Sequence, residues 1–390
     1  MKHTDISLAW LLSLNFAKGV PYVVVMVISL LMFRQMGLCP AVVTLLVGLC
    51  YLPWVLKFWW KPYVERVLSV RQWVMVTQLL LSLLFSALAF AFPSVWLVAV
   101  LLVATAWVTA IHNVAADRLS AQTDKKSRHL LARELSRKFA VVVGQGVLVM
   151  LAGNLQVFYR NDMLYAWRLM FYLVAGLYLL MFFWHTFVLP AASSVSLNSS
   201  VAASLSLSIV LFFICYPLAQ AMIAKVSILF LTATSSNGGL GLSPQEFGLV
   251  MGTVGIIALT VGGLWGTETV HRLGTERCLW PMALSMLVPG FVYTLLSYFQ
   301  PRDLMIVSIA VLTEQLAYGF GFALYLWLLR QIVWRELGKS VMALSMMIGC
   351  MLSGVLLQFM GYNAFFVLML GLGVLSPLSL LLLREIPIKE

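Results

Sequence analysis

The chain has 390 residues, of which 62% are hydrophobic and only 10% are charged. A soluble domain carries about 25% charged residues, so this composition excludes a cytosolic enzyme, a secreted disulfide scaffold and a disordered protein. Since a membrane-spanning helix needs about 20 apolar residues, the composition predicts an all-α membrane protein that crosses the bilayer many times.

Twelve apolar stretches can be placed in chain order. They cover 6–33, 41–60, 72–91, 95–115, 133–153, 165–189, 208–232, 245–266, 278–298, 304–328, 340–360 and 362–383. Most Lys and Arg residues lie at the two termini and in the loops after spans 2, 4, 8 and 10, so the positive-inside rule places these regions in the cytoplasm. The formal net charge of +11 is therefore a topology signal, and it does not predict a nucleic-acid partner.

A short motif recurs in the two halves of the chain. Gly-Leu-Cys-Pro at 37–40, followed by Gly48, returns as Gly-Leu-Ser-Pro at 241–244, followed by Gly252. Each proline would begin an even-numbered span, where its missing N–H costs nothing. The serine of the second copy also starts a capping-box pattern. The motif therefore indicates that the two halves are repeats.

Six spans in each half predict parallel repeats, related by a pseudo-two-fold axis along the membrane normal as in the major-facilitator fold. We therefore predict an N-terminal six-helix bundle at 1–190 and a C-terminal six-helix bundle at 208–390. The Ser-rich segment 191–207 is the predicted cytoplasmic linker.

Two lysines, Lys18 and Lys225, lie well inside predicted spans and away from their ends. Charged groups at membrane depth cost at least ~2.5 kcal/mol each and persist where they face water or a partner. Lys18 shares a helical face of span 1 with Asn15 and Tyr22, and Lys225 holds nearly the corresponding position in span 7, five residues after Gln220. We expect these residues to bind an anionic substrate. The alternative is that each lysine snorkels to an interface.

A carboxyl group, Glu314, lies near the middle of span 10, with Tyr318 one turn further on the same face. Desolvation penalises the charged form of such a group, so we expect Glu314 to carry a proton and Tyr318 to contact substrate. The alternative is a static salt bridge to Lys18 or Lys225.

Span 4 ends with Asn113 and Asp117, which are four residues apart and share a face. We expect Asn113 to bind substrate and Asp117 to exchange protons. In the alternative, Asp117 is a helix-end carboxylate paired with Arg118 or a loop lysine.

The loops after spans 2 and 8 combine an acid or a histidine with arginines in a similar register. Such groups suit ion pairs that form in one facing state of a transporter and break in the other. The predicted gating residues are Lys57, Glu65, Arg66, Arg71, His271, Arg272 and Arg277. The alternative is positive-inside anchoring alone.

Four segments resemble the AmpG-type muropeptide permeases of the major-facilitator superfamily. Residues 16–21 (FAKGVP) are similar to the family's F-A-x-G-x-P, and 52–66 (LPWVLKFWWKPYVER) to its L-P-x-x-x-K-F-x-W-x-P-x-x-D-R. Residues 112–117 (HNVAAD) are similar to Q-D-I-x-x-D, and 314–321 (EQLAYGFG) to E-N-x-x-x-G-x-G. The resemblance implies proton-driven import of anhydro-muropeptides across a bacterial inner membrane.

The chain also departs from the family's pattern. Asn113 and Gln220 stand at positions where the family usually has Asp, and Lys18 stands where a small residue is common. Relative to the family's pattern, two negative charges are lost and one positive charge is gained. These changes bear on which substrate is bound and on how its transport is coupled to protons.

The leading hypothesis is therefore a monomeric secondary active transporter, in which spans 1, 4, 7 and 10 line one central cavity and which needs no cofactor. An alternative within the class is a carrier or exporter of another organic anion, such as a siderophore, an acyl-CoA-like compound or a drug. A membrane enzyme lacks support, since the chain has no HExxH, GxSxG or phosphate-loop motif. The five cysteines are scattered without a CxxC pair, so no metal site or disulfide is predicted. A sensor subunit would need a larger soluble segment than the loops supply.

Overall fold

The computed structural model of the chain describes residues 3–121, 127–159, 162–190, 206–332 and 335–383. Within these ranges the regular structure is helical and contains no strand. The prediction of an all-α protein is confirmed.

The first half of the described chain is a series of helices joined by short turns. They are α1 (His3–Val23), α2 (Ser29–Gln35), α3 (Pro40–Leu49), α4 (Leu52–Val55), α5 (Lys57–Val67), α6 (Val70–Ala91), α7 (Val95–Ala121), α8 (Ser127–Val141), α9 (Leu148–Phe158) and α10 (Met163–Val188). One π-helical segment, Val24–Ile28, joins α1 to α2, and another, Val142–Val147, joins α8 to α9. The first span is consequently a continuous helix over Leu8–Gln35.

The second half continues in the same way. Its helices are α11 (Leu207–Thr232), α12 (Pro244–Leu249), α13 (Ile256–Leu273), α14 (Thr275–Ser285), α15 (Val288–Phe299), α16 (Leu304–Ile332), α17 (Arg335–Gly373) and α18 (Leu375–Ser379). Short 3₁₀ segments cover Ser235–Asn237 and Leu380–Leu383. A π-helical segment, Val250–Gly255, joins α12 to α13.

Ten helical stretches among the described residues are long and apolar enough to cross a membrane, and a bent pair, Pro40–Val55 with Lys57–Val64, would be an eleventh. The sequence predicts twelve. The difference arises in the last stretch, Leu337–Leu383, where the final two predicted spans run together across Gly361. Gly361 has a non-helical φ of 74°, a value that residues with a Cβ rarely adopt. It lies where the sequence separates 340–360 from 362–383.

The predicted helix starts are confirmed in both copies of the repeated motif. Pro40 and Pro244 lie in the first turns of α3 and α12. The Ser243 N–H donates to Glu246 Oε2 at 2.8 Å, and the Glu246 N–H donates to Ser243 Oγ at 3.2 Å. This reciprocal capping box satisfies two donors that the helix itself leaves unpaired.

Contacts divide the chain into two compact units. Met1–Met32 and Leu56–Ser200 form one, and Phe33–Val55 and Val201–Glu390 form the other. We refer to them as the N-terminal unit and the C-terminal unit. The predicted linker lies outside the described residues as far as residue 205.

This grouping differs from the predicted bundles in one segment, 33–55, which the sequence predicts to belong to 1–190 and which groups with the C-terminal unit. The reason is the close approach of α3 to α17. A Cβ at Gly354 would lie 2.3 Å from the Pro40 carbonyl oxygen and 2.1 Å from Thr44 Oγ1. The Cys350 thiol also donates to the Thr44 carbonyl oxygen at 3.3 Å. Only a glycine permits such a helix pair to touch through its backbones.

A second close helix pair holds α16 in place. A Cβ on Gly262 of α13 would lie 2.1 Å from the Leu316 carbonyl oxygen of α16, and a Cβ on Gly319 of α16 would lie 2.4 Å from the Leu259 carbonyl oxygen. These small residues bring the two backbones together. Because Glu314 lies on α16, the pair fixes the position of that carboxyl group within the unit.

Candidate functional site

An ion pair joins two helices of the N-terminal unit. The Lys18 ammonium on α1 donates to Asp117 Oδ1 on α7. The Lys18 side chain is 10% exposed and the Asp117 side chain 38% exposed, so the cation lies deeper than the carboxylate. The sequence singled out both residues but did not pair them. Contact with a carboxylate explains how a lysine persists at this depth.

Asn15 and Tyr22, which share the predicted substrate-binding face of span 1 with Lys18, have different surroundings. Asn15 is buried, and its Nδ2 donates to the Leu11 carbonyl oxygen at 2.8 Å and to Ser120 Oγ on α7 at 3.5 Å. Tyr22 is 38% exposed. Asn15 and Lys18 thus both face α7, and the role of all three residues in substrate binding stays a prediction.

Two neighbouring residues of α7 carry buried polar atoms that have no hydrogen-bond partner in the described part of the chain. These atoms are His112 Nε2 and Asn113 Oδ1. The other ring nitrogen, His112 Nδ1, lies 3.0 Å from Thr77 Oγ1 on α6. Leaving a buried polar atom unsatisfied costs about 1–3 kcal/mol, so such atoms are candidates for contact with a ligand or water.

A polar network that the sequence analysis missed surrounds His185 on α10. Its Nε2 lies 2.9 Å from Ser13 Oγ on α1, and its Nδ1 lies 2.8 Å from Gln78 Nε2 on α6. The available signal was the presence of Gln78 and His185 inside otherwise apolar spans. Because both ring nitrogens are partnered within the protein, the network ties three helices together.

In the C-terminal unit, Glu314 is 3% exposed. Its Oε1 accepts a hydrogen bond from Gln315 Nε2 at 3.2 Å, whereas Oε2 has no partner among the residues described. Glu314 forms no ion pair with any described residue of the C-terminal unit, so the alternative of a static salt bridge to Lys225 is not observed. The carboxyl group therefore lies in an apolar setting without a compensating cation.

Lys225 and Gln220 contact different neighbours along α11. Lys225 Nζ lies 5.3 Å from the centroid of the Tyr51 ring, which is a cation–π contact. Gln220 Nε2 donates to the Met286 carbonyl oxygen at 3.3 Å. Five residues along an α-helix turn a side chain by roughly 140°, so the divergence follows from the helix itself. Tyr318 is half-buried.

The gating residues predicted after span 2 have varied surroundings. Lys57 begins α5 and is 7% exposed, whereas Arg66 at the other end of α5 is exposed. Arg71 on α6 donates its Nη2 to the Thr186 carbonyl oxygen on α10 at 2.7 Å. The side chain of Glu65 lies outside the described part of the structure. Arg71 therefore links two helices of the N-terminal unit through a backbone carbonyl.

The gating residues predicted after span 8 are exposed, and two of them have defined contacts. The His271 ring packs edge-on against the Trp327 ring at 4.8 Å. Arg272 Nε donates to Glu268 Oε1 at 2.6 Å, one turn back on the same helix. Within the described residues, Arg272 therefore pairs along α13 and not with another helix. Arg277 is exposed near the start of α14.

The structure also describes the surroundings of the cysteines and possible metal ligands. All five cysteines are free, and Cys50, Cys278 and Cys350 are buried. Among the described residues, no three His, Cys, Asp or Glu side chains come together in a group that could hold a metal ion. The polar groups gathered in each unit therefore offer hydrogen bonds and charge.

The chain is similar over nearly its whole length to a bacterial permease. It is 25% identical over 412 residues to the anhydromuropeptide permease of Escherichia coli strain K12, which covers 97% of this chain and 79% of that protein. The protein of the same name from Escherichia coli O157:H7 matches to the same extent. No protein-family model matches the chain. The resemblance to AmpG-type permeases is confirmed.

Two solved transporter structures share the fold. A variant of the nucleoside transporter NupG superposes with a TM-score of 0.71 at 12% identity, covering 97% of this chain and 100% of that one. A bacterial homologue of the human lysosomal transporter Spinster superposes with a TM-score of 0.71 at 15% identity, covering 98% and 96%. The protein is a transporter with the major-facilitator fold.

This transporter crosses the membrane several times, and the relatives named above are permeases and transporters and not enzymes. Its substrate is a small molecule. The candidate residues are accordingly groups that bind and release a solute, and none of them has to form a covalent bond.

Proposed function

We propose that this transporter imports an anionic amphipathic solute such as an anhydro-muropeptide, driven by protons moving down their gradient. We place it as a monomer in a bacterial inner membrane, with both termini in the cytoplasm. The similarity to a named anhydromuropeptide permease over 97% of the chain supports this substrate class. The charges and burial of the candidate residues support the coupling of this import to protons.

The observation that carries the proposal is the Glu314 carboxyl group on α16. It is 3% exposed, and one of its oxygens has no partner in the described residues. Moving a carboxylate out of water is costly unless it is paired, and taking up a proton removes that cost. Glu314 is thus suited to hold a proton during the transport cycle.

The Lys18–Asp117 pair supplies a second step, which links proton binding to anion binding. The half-exposed Asp117 carboxylate can take a proton, and the neutral acid no longer compensates the Lys18 charge. A carboxylate of the substrate can then take its place next to the ammonium. This exchange makes anion and proton enter together, as a symporter requires.

The remaining polar residues would contact uncharged groups of the solute. The amides and hydroxyls in this set are Asn15, Tyr22, Asn113, Gln220 and Tyr318, and Lys225 adds a second positive charge. We assign the gating role to the charged residues of the loops after spans 2 and 8, where exposed side chains such as Arg66, Arg272 and Arg277 can exchange partners as the transporter changes its facing state.

Uptake into sealed proteoliposomes tests the proposal. The purified full chain is reconstituted, labelled anhydro-muropeptide is added outside, and a pH gradient with the inside alkaline is imposed. We expect accumulation that a protonophore abolishes and that protein-free liposomes lack. Accumulation of a labelled siderophore or acyl-CoA-like compound, without any of the muropeptide, would favour the other organic-anion carrier. No gradient-driven uptake of any of these anions would contradict proton-coupled import.

A further inference from the structure

Three buried oxygen atoms in the C-terminal unit have no hydrogen-bond partner among the described residues. They are Ser227 Oγ on α11, Tyr293 Oη on α15 and Glu314 Oε2 on α16. The three residues are 1%, 0% and 3% exposed, respectively. Buried polar atoms are nearly always paired, so three orphans in one unit require an explanation.

The three atoms belong to one cluster. The Tyr293 hydroxyl is close to the Ser227 hydroxyl without meeting hydrogen-bond geometry, and the Glu314 carboxyl group is near enough to act on it electrostatically. The helices that carry them, α11, α15 and α16, pack against one another in pairs. Each residue therefore comes from a different helix, and the three helices contact one another.

Packing of its ring holds Tyr293 in position. The ring stacks on Phe366 at 5.2 Å and meets the edge of Phe230 at 6.4 Å. Two other buried tyrosines of the unit use their hydroxyls differently, since Tyr216 donates to the Gly321 carbonyl oxygen at 2.9 Å and Tyr325 donates to that of Phe213 at 3.1 Å. The Tyr293 hydroxyl is thus positioned by the fold without a structural hydrogen bond of its own.

We propose that Ser227, Tyr293 and Glu314 form the proton-binding site of the C-terminal unit, with Glu314 holding the proton and the two hydroxyls acting as positioning residues. This inference rests on the proposed proton coupling at Glu314 and adds the groups that stabilise both forms of its carboxyl. The cluster contains one carboxyl group, which matches a single proton.

The hydrogen bonds of the cluster can follow the proton. When Glu314 is protonated, its O–H donates to the Tyr293 oxygen, and the Tyr293 O–H donates to Ser227 Oγ. When the proton leaves to water, the Tyr293 O–H turns to donate to the carboxylate, and the Ser227 O–H donates to the Tyr293 oxygen. Going from one set of hydrogen bonds to the other requires only side-chain rotations. One proton is released in total, and Tyr293 and Ser227 both keep their hydroxyl protons.

The groups around Glu314 are compatible with this assignment. Tyr293 faces it from α15 and Gln315 from α16, whereas Lys225 of α11 lies over the Tyr51 ring. The other described ionisable side chains of these helices are Cys215 and Tyr216 of α11, Glu246 of α12, Glu268, His271 and Arg272 of α13, Glu276, Arg277 and Cys278 of α14, Tyr298 of α15, Tyr318, Tyr325 and Arg330 of α16, and Lys339, Cys350 and Tyr362 of α17. The ionisable residues of α13 and α14 lie near the junction between these two helices, in or next to the last turn of α13 and the first turn of α14.

Infrared difference spectroscopy of the full chain in lipid nanodiscs, titrated against pH, tests the site without any substrate. The carboxylic-acid C=O band that disappears in Glu314→Gln belongs to Glu314. We expect Tyr293→Phe to move the midpoint of that band to higher pH by about one unit, the size of one hydrogen bond to a charged group. Ser227→Ala should move it in the same direction by less.

Two matched variants provide the control. Tyr216→Phe and Ser345→Ala remove hydroxyls that donate to the Gly321 and Ile214 carbonyl oxygens, so both should leave the midpoint unchanged. An unmoved midpoint in Tyr293→Phe and in Ser227→Ala overturns the proposal, as does an equal shift in Tyr216→Phe. Titration of the band by sodium ions at constant pH would also overturn it, in favour of a sodium site. If the band behaves as expected but muropeptide uptake fails, the failure concerns the proposed substrate and not this site.

Discussion

Lys18 on α1 and Asp117 on α7 form an ion pair in which the cation is buried more deeply than the carboxylate, with side chains 10% and 38% exposed. The two ends therefore differ in how well water can replace a lost partner. A bare ammonium would remain in an apolar setting, whereas a bare carboxylate could still be hydrated. This asymmetry gives two variants of one ion pair different expected effects.

Asp117→Asn should destabilise the protein more than Lys18→Met. The first change leaves a buried lysine without its charge partner, and we expect a cost of about 1–3 kcal/mol, below the range for a fully buried pair because Asp117 is half-exposed. The second leaves a carboxylate that water can reach. Thermal unfolding of the full chain in detergent, followed by intrinsic fluorescence, compares the Tm values. The double variant Lys18→Met/Asp117→Leu should regain most of the loss, and equal losses in the two single variants would argue against the asymmetry.

The same pair predicts opposite changes in the affinity for an anion. Lys18→Ala removes the positive charge and should weaken binding of an anhydro-muropeptide about tenfold, which corresponds to ~1.4 kcal/mol. Asp117→Asn leaves the lysine charge uncompensated and should strengthen binding. Equilibrium binding of the labelled solute to purified protein measures both effects. A solute analogue with its carboxyl groups amidated serves as the control and should bind all three proteins alike, whereas weaker anion binding by Asp117→Asn would contradict the proposed competition.

Glu314→Gln should abolish proton-driven accumulation of the solute and leave exchange of the solute across the membrane intact. A glutamine keeps the size of the side chain but cannot take up or release a proton, so accumulation driven by a pH gradient should fall to the level of passive equilibration. Exchange of solute across the membrane at equal pH should persist, because it needs no net proton movement. Counterflow and gradient-driven uptake in the same proteoliposomes measure the two activities.

The matched control for that change is Glu134→Gln. Glu134 is exposed and pairs with Arg137 on its own helix, so its neutralisation should leave both activities close to wild type. Loss of both activities in Glu314→Gln would instead indicate a structural role, and gradient-driven accumulation by that variant would remove Glu314 from the coupling mechanism.

Features set by local sequence could be predicted. The scarcity of charged residues gives the membrane class, and apolar runs of about 20 residues give the spans. A serine followed three residues later by a glutamate gives the capping box at Ser243 and Glu246, because its two hydrogen bonds form within one helical turn. The burial of Lys18 and Glu314 follows in the same way from the apolar residues around them.

Features that depend on the approach of distant segments could not be predicted. Nothing in span 4 indicates that the partner of Asp117 is Lys18, 99 residues away in the chain. Tyr293 and Ser227 are ordinary residues for an apolar helix, and their orphan oxygen atoms become visible only when three helices are packed together. The grouping of 33–55 with the C-terminal unit likewise depends on which helix Gly354 meets.

Gly354→Ala should separate α3 from α17 and lower the stability of the protein. The added Cβ would lie 2.3 Å from the Pro40 carbonyl oxygen and 2.1 Å from Thr44 Oγ1. The threonine can change its rotamer, but the carbonyl belongs to the first turn of α3 and cannot move alone. Overpacking of this kind costs about 1–3 kcal/mol, and the Tm of the purified full chain should fall accordingly.

Gly371→Ala is the matched control in the part of α17 that follows Gly361. A Cβ at Gly371 has no neighbour within 4 Å among the described residues, so the change should leave Tm unchanged or raise it, since alanine is favoured over glycine in a helix by about 1 kcal/mol. Combining Gly354→Ala with Thr44→Ala should recover only part of the loss, because the Pro40 carbonyl remains in the way. Full recovery would mean that the side chain and not the backbone limits the approach of α3, and equal Tm values for Gly354→Ala and Gly371→Ala would contradict the close contact.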